Sequence, residues 1–272
     1  MRRLLTILFL VLCTSLHAQK LVIYPAKGDP KAAVVVCPGG SYFWLDQEGE
    51  GSLVGRWLAS EGFNAYVLYY RTAGVLDFIT SYRLLFRGRR HPDMISDLQW
   101  ALQSVREEFD GPVGAMGFSA GGHLVMSAGE FFGTDFTGNA DGANLRPDFV
   151  ASIYPVVSMR EPCTHERSRR GLLGEGRTGN RALRDSLSLE LHVRPDTPPV
   201  FLLRCDDDSV VDPQNAELLD AALTEKGVLH RTVRYHVGGH GFGANKEKFT
   251  EETARWQAAF LEWIEEIDYG RH

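Results

Sequence analysis

The chain has 272 residues, of which 44% are hydrophobic and 24% charged, and its formal net charge at pH 7 is −6. The length suits one large α/β domain, and the composition is that of an ordinary globular protein. The mild negative charge gives no electrostatic reason to expect nucleic acid as a partner.

The first 18 residues have the layout of a secretory signal peptide. A positive start at Arg2 and Arg3 is followed by an apolar run at residues 4–12, and Ala18 is a small residue suited to cleavage. The apolar run is too short for a comfortable membrane span. We therefore expect a secreted or periplasmic protein with no stable membrane insertion after cleavage. Lipidation at Cys13 and a retained anchor are the alternatives.

Strand-like and helix-like segments alternate along the remaining chain. Apolar runs predict buried strands at residues 32–38, 64–70, 111–118, 147–155 and 198–205, and an edge strand at 229–237. Helical spacing predicts helices at residues 93–109, 121–132, 212–227 and 246–267. The alternation indicates a doubly wound, mostly parallel α/β sheet with helices on both faces, in a single domain spanning residues 19–272.

Two long stretches, near residues 72–92 and 158–197, interrupt this alternation, and both are rich in arginine. Long insertions in a compact domain are usually either functional or disordered. The stretches are therefore candidates to cover a site, and a pair of solvated loops is the alternative.

The segment GFSAG at residues 117–121 fits the pattern G-x-S-x-G. It lies between a predicted strand and a predicted helix. A sharp strand-to-helix turn presents the serine in a strained backbone conformation, and neighbours without bulky side chains allow close approach. Ser119 is therefore a candidate nucleophile at a helix N-terminus, where backbone N–H groups stabilise an oxyanion.

A serine nucleophile needs a base, and the base needs an acid that orients it. Three consecutive aspartates, residues 206–208, follow the fifth predicted strand, and His240 follows the sixth. Both positions come after strand ends, where an open α/β sheet places its chemistry. The chain order is then serine, acid, histidine.

A glycine-rich segment, CPGGSYFW at residues 37–44, follows the first predicted strand. Its glycines allow the backbone to approach a ligand closely. The N–H groups of Gly40 or Ser41, together with that of Ala120, are therefore the candidate oxyanion donors.

Two aromatic residues of the same segment, Tyr42 and Trp44, have two interpretations. They bind an acyl or sugar group of the substrate, or they pack beneath the segment. His123, just after the serine turn, is expected to be structural. The histidines show no tight ligand pairing with cysteine or carboxylate, so we predict no metal site and no cofactor.

These motifs resemble the α/β-hydrolases, in particular the secreted bacterial carbohydrate esterases related to acetyl xylan and feruloyl esterases. The matching segments include VVVCPGGSYFWL, HPDMISDLQWALQSV, GAMGFSAGGHL, PPVFLLRCDDDSVVDP and HVGGHGFG, and they cover most of residues 32–243. In such relatives the acid lies in a D-x-x-V-P segment. Here DSVVD matches it, which implies Asp208 as the acid. Asp212 replaces the expected proline, so Asp207 stays an alternative.

The resemblance implies a serine esterase in which Ser119, Asp208 and His240 act through an acyl-enzyme. The implied substrate is an acetyl or other small acyl ester on a plant polysaccharide such as xylan, or on its oligosaccharides. A serine peptidase of the prolyl-oligopeptidase kind and a non-catalytic binding protein on the same scaffold are the alternatives. The oligomeric state stays open.

Overall fold

A seven-stranded sheet forms the centre of the structure, a computed structural model that describes residues 19–80, 88–140 and 142–267. The predicted signal peptide lies outside these residues. The strands are β1 (Lys20–Tyr24), β2 (Ala33–Cys37), β3 (Asn64–Tyr69), β4 (Val113–Phe118), β5 (Val150–Ile153), β6 (Val200–Cys205) and β7 (His230–Tyr235).

The strands follow the order β1-β3-β2-β4-β5-β6-β7, and neighbours are parallel except for the antiparallel pair β1 and β3. All six predicted strands are present, and β7 lies at a sheet edge as expected. Every residue of β2 and β4 is buried, which explains their uninterrupted apolar runs. The sequence pattern does not predict β1, because none of its five residues is fully buried.

Helices cover both faces of the sheet, which confirms the doubly wound architecture. They are α1 (Leu53–Ser60), α2 (Val75–Thr80), α3 (Asp93–Glu108), α4 (Ala120–Glu130), α5 (Glu166–Leu173), α6 (Arg181–Ser186), α7 (Gln214–Glu225) and α8 (Trp256–Glu266). On one face, Leu98, Leu124 and Leu219 of α3, α4 and α7 join one hydrophobic core. On the other face, Leu58 of α1 and Trp256 of α8 join a second core. Each buried leucine contributes about 1.5–3 kcal/mol to the free energy of unfolding, so both helical layers stabilise the sheet.

The C-terminal helix is shorter than predicted, because residues 246–255 are not α-helical and α8 begins at Trp256. In that segment the N–H of Thr250 donates to Thr253 Oγ1, and the N–H of Thr253 donates to Thr250 Oγ1. The Thr250 hydroxyl also donates to the Val237 carbonyl oxygen at 2.8 Å. Such bonds between side chain and backbone compete with helical hydrogen bonds, which explains the difference.

Both predicted insertions contain helices. The described part of the first insertion contains α2, and the second contains α5, α6 and 3-10 turns at Glu175–Arg177 and Leu189–Leu191. Arginines of the second insertion pair with carboxylates, for example Arg169 with Glu161 and Arg170 with Glu175. The second insertion is therefore packed structure and not merely a solvated loop.

The described residues include no helix with the length and apolar character that crossing a membrane requires. Cys37, Cys163 and Cys205 are buried free thiols. Cys37 ends β2 and Cys205 ends β6, as their apolar runs predict.

Candidate active site

The segments that carry the candidate residues meet at one edge of the sheet. They follow the carboxyl ends of β2, β4, β5, β6 and β7, which run parallel and therefore end on the same side. Those segments contain the candidates Gly40, Ser119, Asp208 and His240, and also Tyr154 after β5. The topology thus gathers residues that are far apart along the chain.

The turn between β4 and α4 explains the small residues around Ser119. Ser119 has φ 54° and ψ −117°, a strained conformation for a residue with a side chain. A Cβ on Gly117 would overlap the carbonyl oxygen of Gly121, and a Cβ on Gly121 would overlap that of Cys37. Only glycine fits at both positions, so the chain bends sharply and presents Ser119 at the start of α4.

A continuous chain of hydrogen bonds links Ser119, His240 and Asp208. His240 Nε2 lies 2.8 Å from Ser119 Oγ, and His240 Nδ1 lies 2.6 Å from Asp208 Oδ2. The side chains of His240 and Asp208 are 10% and 3% exposed, so water screens their interaction weakly. This arrangement suits proton transfer from the hydroxyl to the imidazole, with the carboxylate orienting the ring.

The turn after β6 holds the Asp208 carboxylate in place. Its Oδ1 accepts hydrogen bonds from the N–H groups of Val210 at 2.8 Å and Val211 at 2.9 Å, while Oδ2 faces His240. Of the two acids that the sequence leaves open, the structure brings Asp208 to His240, and Asp207 makes other contacts.

The two preceding aspartates hold neighbouring segments. Asp207 Oδ1 accepts hydrogen bonds from the N–H groups of Gly238 at 2.9 Å and Gly239 at 2.7 Å. These glycines belong to residues 236–245, which follow β7 and are called the histidine loop below. Asp206 binds Arg234, and hydrogen bonding from that guanidinium lowers the pKa of Asp206 to about 2. The two hydrogen bonds to Asp207 therefore fix the position of the histidine loop, whereas Asp206 binds the end of β7.

The loop after β2, residues 38–44, lies against the serine turn and is called the donor loop below. A Cβ on Gly39 would come within 2.8 Å of Ser119 Cβ. The N–H groups of Gly40 and Ser41 donate no hydrogen bond to any residue in the described ranges. Ala120 is the first residue of α4, where an N–H group has no partner within the helix. All three predicted donors thus lie unengaged around the serine turn.

Of the two interpretations of Tyr42, the structure favours packing beneath the segment over contact with substrate, because the side chain is completely buried. Its O–H lies 2.8 Å from His123 Nδ1, and His123 Nε2 lies 2.9 Å from the Leu187 carbonyl oxygen. A carbonyl only accepts, so Nε2 carries the proton and Nδ1 accepts from Tyr42. Tyr42 therefore packs beneath the donor loop. His123 is structural as expected, and burial lowers its pKa to about 4.

Trp44 is half-buried and forms an aromatic surface with Phe78 of α2. The two rings meet edge to face at 5.2 Å, and the Arg167 guanidinium lies 5.8 Å and 5.9 Å from their centres. Two residues earlier, His165 lies near His240 and Asp208. Burial, followed by the charges of Arg167 and His240, lowers the pKa of His165 to about 4. The start of α5 therefore reaches from His240 and Asp208 to the aromatic surface.

The sequence patterns miss two residues that lie beside the site, Glu50 and Tyr154. Glu50 Oε2 accepts a hydrogen bond from the Gly39 N–H at 2.7 Å, and Oε1 accepts one from the Tyr154 O–H at 2.9 Å. The Tyr154 ring lies 4.7 Å from the His240 ring. Their signals in the sequence are weak: an acid between two glycines, and a tyrosine at a strand end. Neither signal specifies a partner.

Two cavities help to define the surroundings of the site. A cavity of about 360 Å³ is lined by residues that include Cys163, His165 and Asp208. A larger cavity of about 720 Å³ lies between α1 and α8, and none of the site residues lines it. Within the described residues, no three histidine, cysteine or acidic side chains are grouped as metal ligands would be.

Comparison with known proteins gives one family and two long curated relatives. The profile of the BD-FAE family matches residues 21–223. The chain is 32% identical over 224 residues to endo-1,4-beta-xylanase B of Butyrivibrio fibrisolvens, covering 79% of this chain and 33% of that protein. It is 30% identical over 234 residues to the acetylxylan esterase of Xylanibacter ruminicola, covering 83% of this chain and 44% of that protein. The chain thus spans less than half the length of these relatives.

Solved structures have the same fold. The acetyl ester-xyloside bifunctional hydrolase from Caldicellulosiruptor lactoaceticus has a TM-score of 0.79 at 31% identity, covering 93% of this chain and 89% of that one. Esterase 2 from Thermogutta terrifontis has a TM-score of 0.70 at 22% identity, covering 90% of each chain. The family profile covers most of the sequence, and the parallel sheet with its serine turn agrees with these structures. The chain therefore belongs to the BD-FAE family and has the α/β-hydrolase fold.

Proposed function

We propose that the chain is a serine esterase that removes acetyl or other small acyl groups from plant polysaccharides such as xylan, or from their oligosaccharides. The observation that carries the proposal is the hydrogen-bonded chain from Ser119 through His240 to Asp208. The substrate class is supported by the names of the acetylxylan esterase and of the acetyl ester-xyloside hydrolase.

Acylation begins when His240 Nε2 takes the proton of Ser119 Oγ as that oxygen attacks the ester carbonyl carbon. The carbonyl electron pair moves onto oxygen, where the N–H groups of Gly40 or Ser41 and of Ala120 stabilise the charge. Asp208 keeps the proton on Nδ1 and stabilises the imidazolium. The intermediate then expels the alcohol, which takes the proton from Nε2, and the acyl group stays on Ser119.

Deacylation repeats these steps with water as the nucleophile. His240 Nε2 takes a proton from water while the water oxygen attacks the acyl carbonyl carbon. The second intermediate collapses, the proton returns to Ser119 Oγ, and the carboxylic acid leaves. The sum is one ester and one water converted to one acid and one alcohol.

Trp44 is the proposed wall for the acyl or sugar group. Its ring is half-buried, and a Cβ on Gly40 would come within 2.9 Å of Trp44 Cδ1, so the ring adjoins a proposed oxyanion donor. Trp44→Ala should lower kcat/KM more for an acetylated xylo-oligosaccharide than for 4-nitrophenyl acetate. An equal loss on both substrates contradicts a role in binding sugar.

Export is the proposed role of residues 1–18, with Gln19 as the first residue of the mature chain. N-terminal sequencing of protein recovered outside the cytoplasm tests this proposal. A chain that begins there at Met1 contradicts cleavage.

Replacing the serine tests the chemistry directly. Ser119→Ala should lower kcat on 4-nitrophenyl acetate by roughly 10⁴-fold or more, because the nucleophile is lost while the fold is kept. A fluorophosphonate probe should label the wild type and not the variant. Ser60→Ala, at an exposed serine of α1, is the matched control and should keep full activity. Retained turnover in Ser119→Ala contradicts the proposal.

A substrate panel then decides the class of substrate. The wild type should release acetate from acetylated xylan and leave a proline-containing peptide intact. Cleavage of the peptide without acetate release indicates a peptidase instead. Neither turnover nor probe labelling indicates a binding protein built on the same scaffold.

A further inference from the structure

We propose that Glu50 is a positioning residue for the esterase reaction: its buried carboxylate, through the Tyr154 hydroxyl, joins the donor loop to the histidine loop. This inference rests on the proposed function. It assigns a role to a carboxylate outside the chain of hydrogen bonds between serine, histidine and Asp208.

Glu50 is 3% exposed, and both of its oxygens have a partner from a different part of the site. Oε2 accepts the N–H of Gly39 in the donor loop at 2.7 Å. Oε1 accepts the O–H of Tyr154, which follows β5, at 2.9 Å. The carboxylate therefore bridges two segments that meet beside Ser119.

Tyr154 extends the bridge to the histidine loop. The N–H of Gly243 donates to the Tyr154 hydroxyl oxygen at 2.9 Å, so the tyrosine's own hydrogen is free to go to Glu50. The Tyr154 ring packs against the His240 ring at 4.7 Å. Tyr154 also has φ 36°, a strained backbone conformation that surrounding contacts must hold. The tyrosine thus places the imidazole with both its ring and its hydroxyl.

The backbone around Glu50 makes a second link to the histidine loop. Glu50 lies in the π-helical turn Glu48–Ser52, where the Gly49 carbonyl oxygen accepts the N–H of Ala244 at 2.9 Å. A Cβ on Gly243 would overlap that same carbonyl oxygen. The turn and the loop therefore fit closely, which leaves Glu50 little freedom to move.

Glu50 is also close enough to His240 for their charges to interact when both are ionised. Burial raises the pKa of Glu50, while the charge of His240 and the bonds from Tyr154 and Gly39 oppose the rise, and Asp46 adds to it. Burial has the larger effect, and the Tyr154 O–H and the Gly39 N–H limit it because both donate to the ionised carboxylate. His240 gains a positive charge when it takes the serine proton, and a nearby negative charge in a poorly screened site stabilises that state.

The charged groups that face this pair come from several elements. Asp208 and His165 face His240 from the turn after β6 and from the start of α5. Tyr70, after β3, is also close enough to Glu50 for their charges to interact. Asp208 orients the imidazole directly, so Glu50 acts as an additional charge.

The test compares Glu50→Gln with Glu48→Gln, which replaces an exposed glutamate of the same turn. Glu50→Gln should lower kcat on 4-nitrophenyl acetate by about 10- to 100-fold with KM nearly unchanged, because small displacements of donor and base slow the reaction. The acidic limb of its kcat/KM profile should move to lower pH by about half a unit or more, because the imidazolium loses a favourable charge. Glu48→Gln should match the wild type in kcat, in KM and in the position of the acidic limb.

Two further variants separate positioning from folding. Tyr154→Phe keeps the carboxylate and removes the link to Gly243, so kcat should fall while the acidic limb moves less than in Glu50→Gln. Glu50→Asp keeps the charge on a shorter side chain, so the acidic limb should return toward the wild-type position. If Glu50→Gln does not fold, these two variants still test the proposal.

Several results overturn the inference. The first is a folded Glu50→Gln variant that keeps the wild-type kcat and pH profile. The second is a Glu50→Gln variant that loses thermal stability while kcat and the pH profile stay unchanged. Equal behaviour of Glu50→Asp and Glu50→Gln contradicts the role of charge. An active wild type with an inactive Ser119→Ala variant keeps the esterase proposal even then, whereas an inactive wild type contradicts that proposal itself.

Discussion

Three adjacent aspartates with the same chemistry have three different partners at the end of β6. Asp206 meets arginine, Asp207 meets the histidine loop, and Asp208 meets the imidazole. The two backbone donors on Asp208 Oδ1 orient its carboxylate before any substrate binds. The proposed function thus depends on which of the three aspartate side chains points to His240, and the order of residues in the sequence does not specify that direction.

The residue-scale prediction compares Asp208→Asn with Asp207→Asn. Asp208→Asn should lower kcat by roughly 10⁴-fold. The amide favours the wrong imidazole tautomer, and it lacks the negative charge that stabilises the imidazolium. Asp207→Asn keeps an oxygen that accepts from Gly238 and Gly239, so kcat should fall by less than about 10-fold. Steady-state kinetics on 4-nitrophenyl acetate measure both. A larger loss in Asp207→Asn contradicts the assignment of the acid.

At the scale of elements, α5 of the second insertion is packed directly on the donor loop. A Cβ on Gly171 would overlap the Ser41 carbonyl oxygen and come within 3.2 Å of the Phe43 ring. Ser41 and Tyr42 have φ 56° and 64°, conformations that residues with side chains rarely adopt. The contact with α5 therefore helps to hold the loop that offers the oxyanion donors.

The element-scale prediction uses two glycines of the same insertion. Gly171→Ala should displace α5 or the donor loop, lower the free energy of unfolding by about 1–3 kcal/mol and lower kcat by about 10-fold or more. Gly176→Ala is the matched control, because no atom lies within 4 Å of its added Cβ. Kinetics and urea unfolding measure both effects. Equal kcat values in the two variants contradict a role for α5 in holding the loop.

Sequence patterns predict elements well where the surroundings are uniform. The strands that both helical layers cover appear as long apolar runs, and all of them are present. The pattern fails at residues 246–255, where amphipathic spacing predicts helix. Threonine side chains bond to the local backbone there instead, a competition that periodicity does not register.

At the scale of the whole molecule, His123 joins three parts of the fold. It lies on α4, accepts from Tyr42 beneath the donor loop and donates to Leu187 of the second insertion. Burial lowers its pKa from 6.5 to about 4 in the folded chain. The folded state therefore binds this proton less readily than the unfolded state between those pH values.

The corresponding prediction is that the free energy of unfolding depends on pH through His123. A histidine whose pKa is lowered on folding stabilises the fold fully above pH 6.5 and loses that contribution as pH falls toward 4. As the pH falls over that range, the loss of the His123 contribution should lower the free energy of unfolding by about 3 kcal/mol. The decline in His123→Gln should be smaller, as measured by urea unfolding at several pH values. Parallel declines in wild type and variant contradict the prediction.

The sequence by itself determined the alternation of strands and helices, the serine turn and the set of loops that carry the candidate residues. It could do so because hydrophobic periodicity and glycine positions are local, and because parallel strands bring the loops after their ends to one edge. The short β1 and the length of α8 depended on partners that local patterns do not contain.

Only the tertiary structure decided which side chains meet at that edge. It brought Asp208 to His240, buried Tyr42 beneath the donor loop and placed Glu50 against Tyr154. Ser119 and His240 are 121 residues apart in the chain, and Glu50 and Tyr154 are 104 apart. Such contacts arise from packing between distant segments, and no spacing of residues within either segment encodes the direction in which its side chain points.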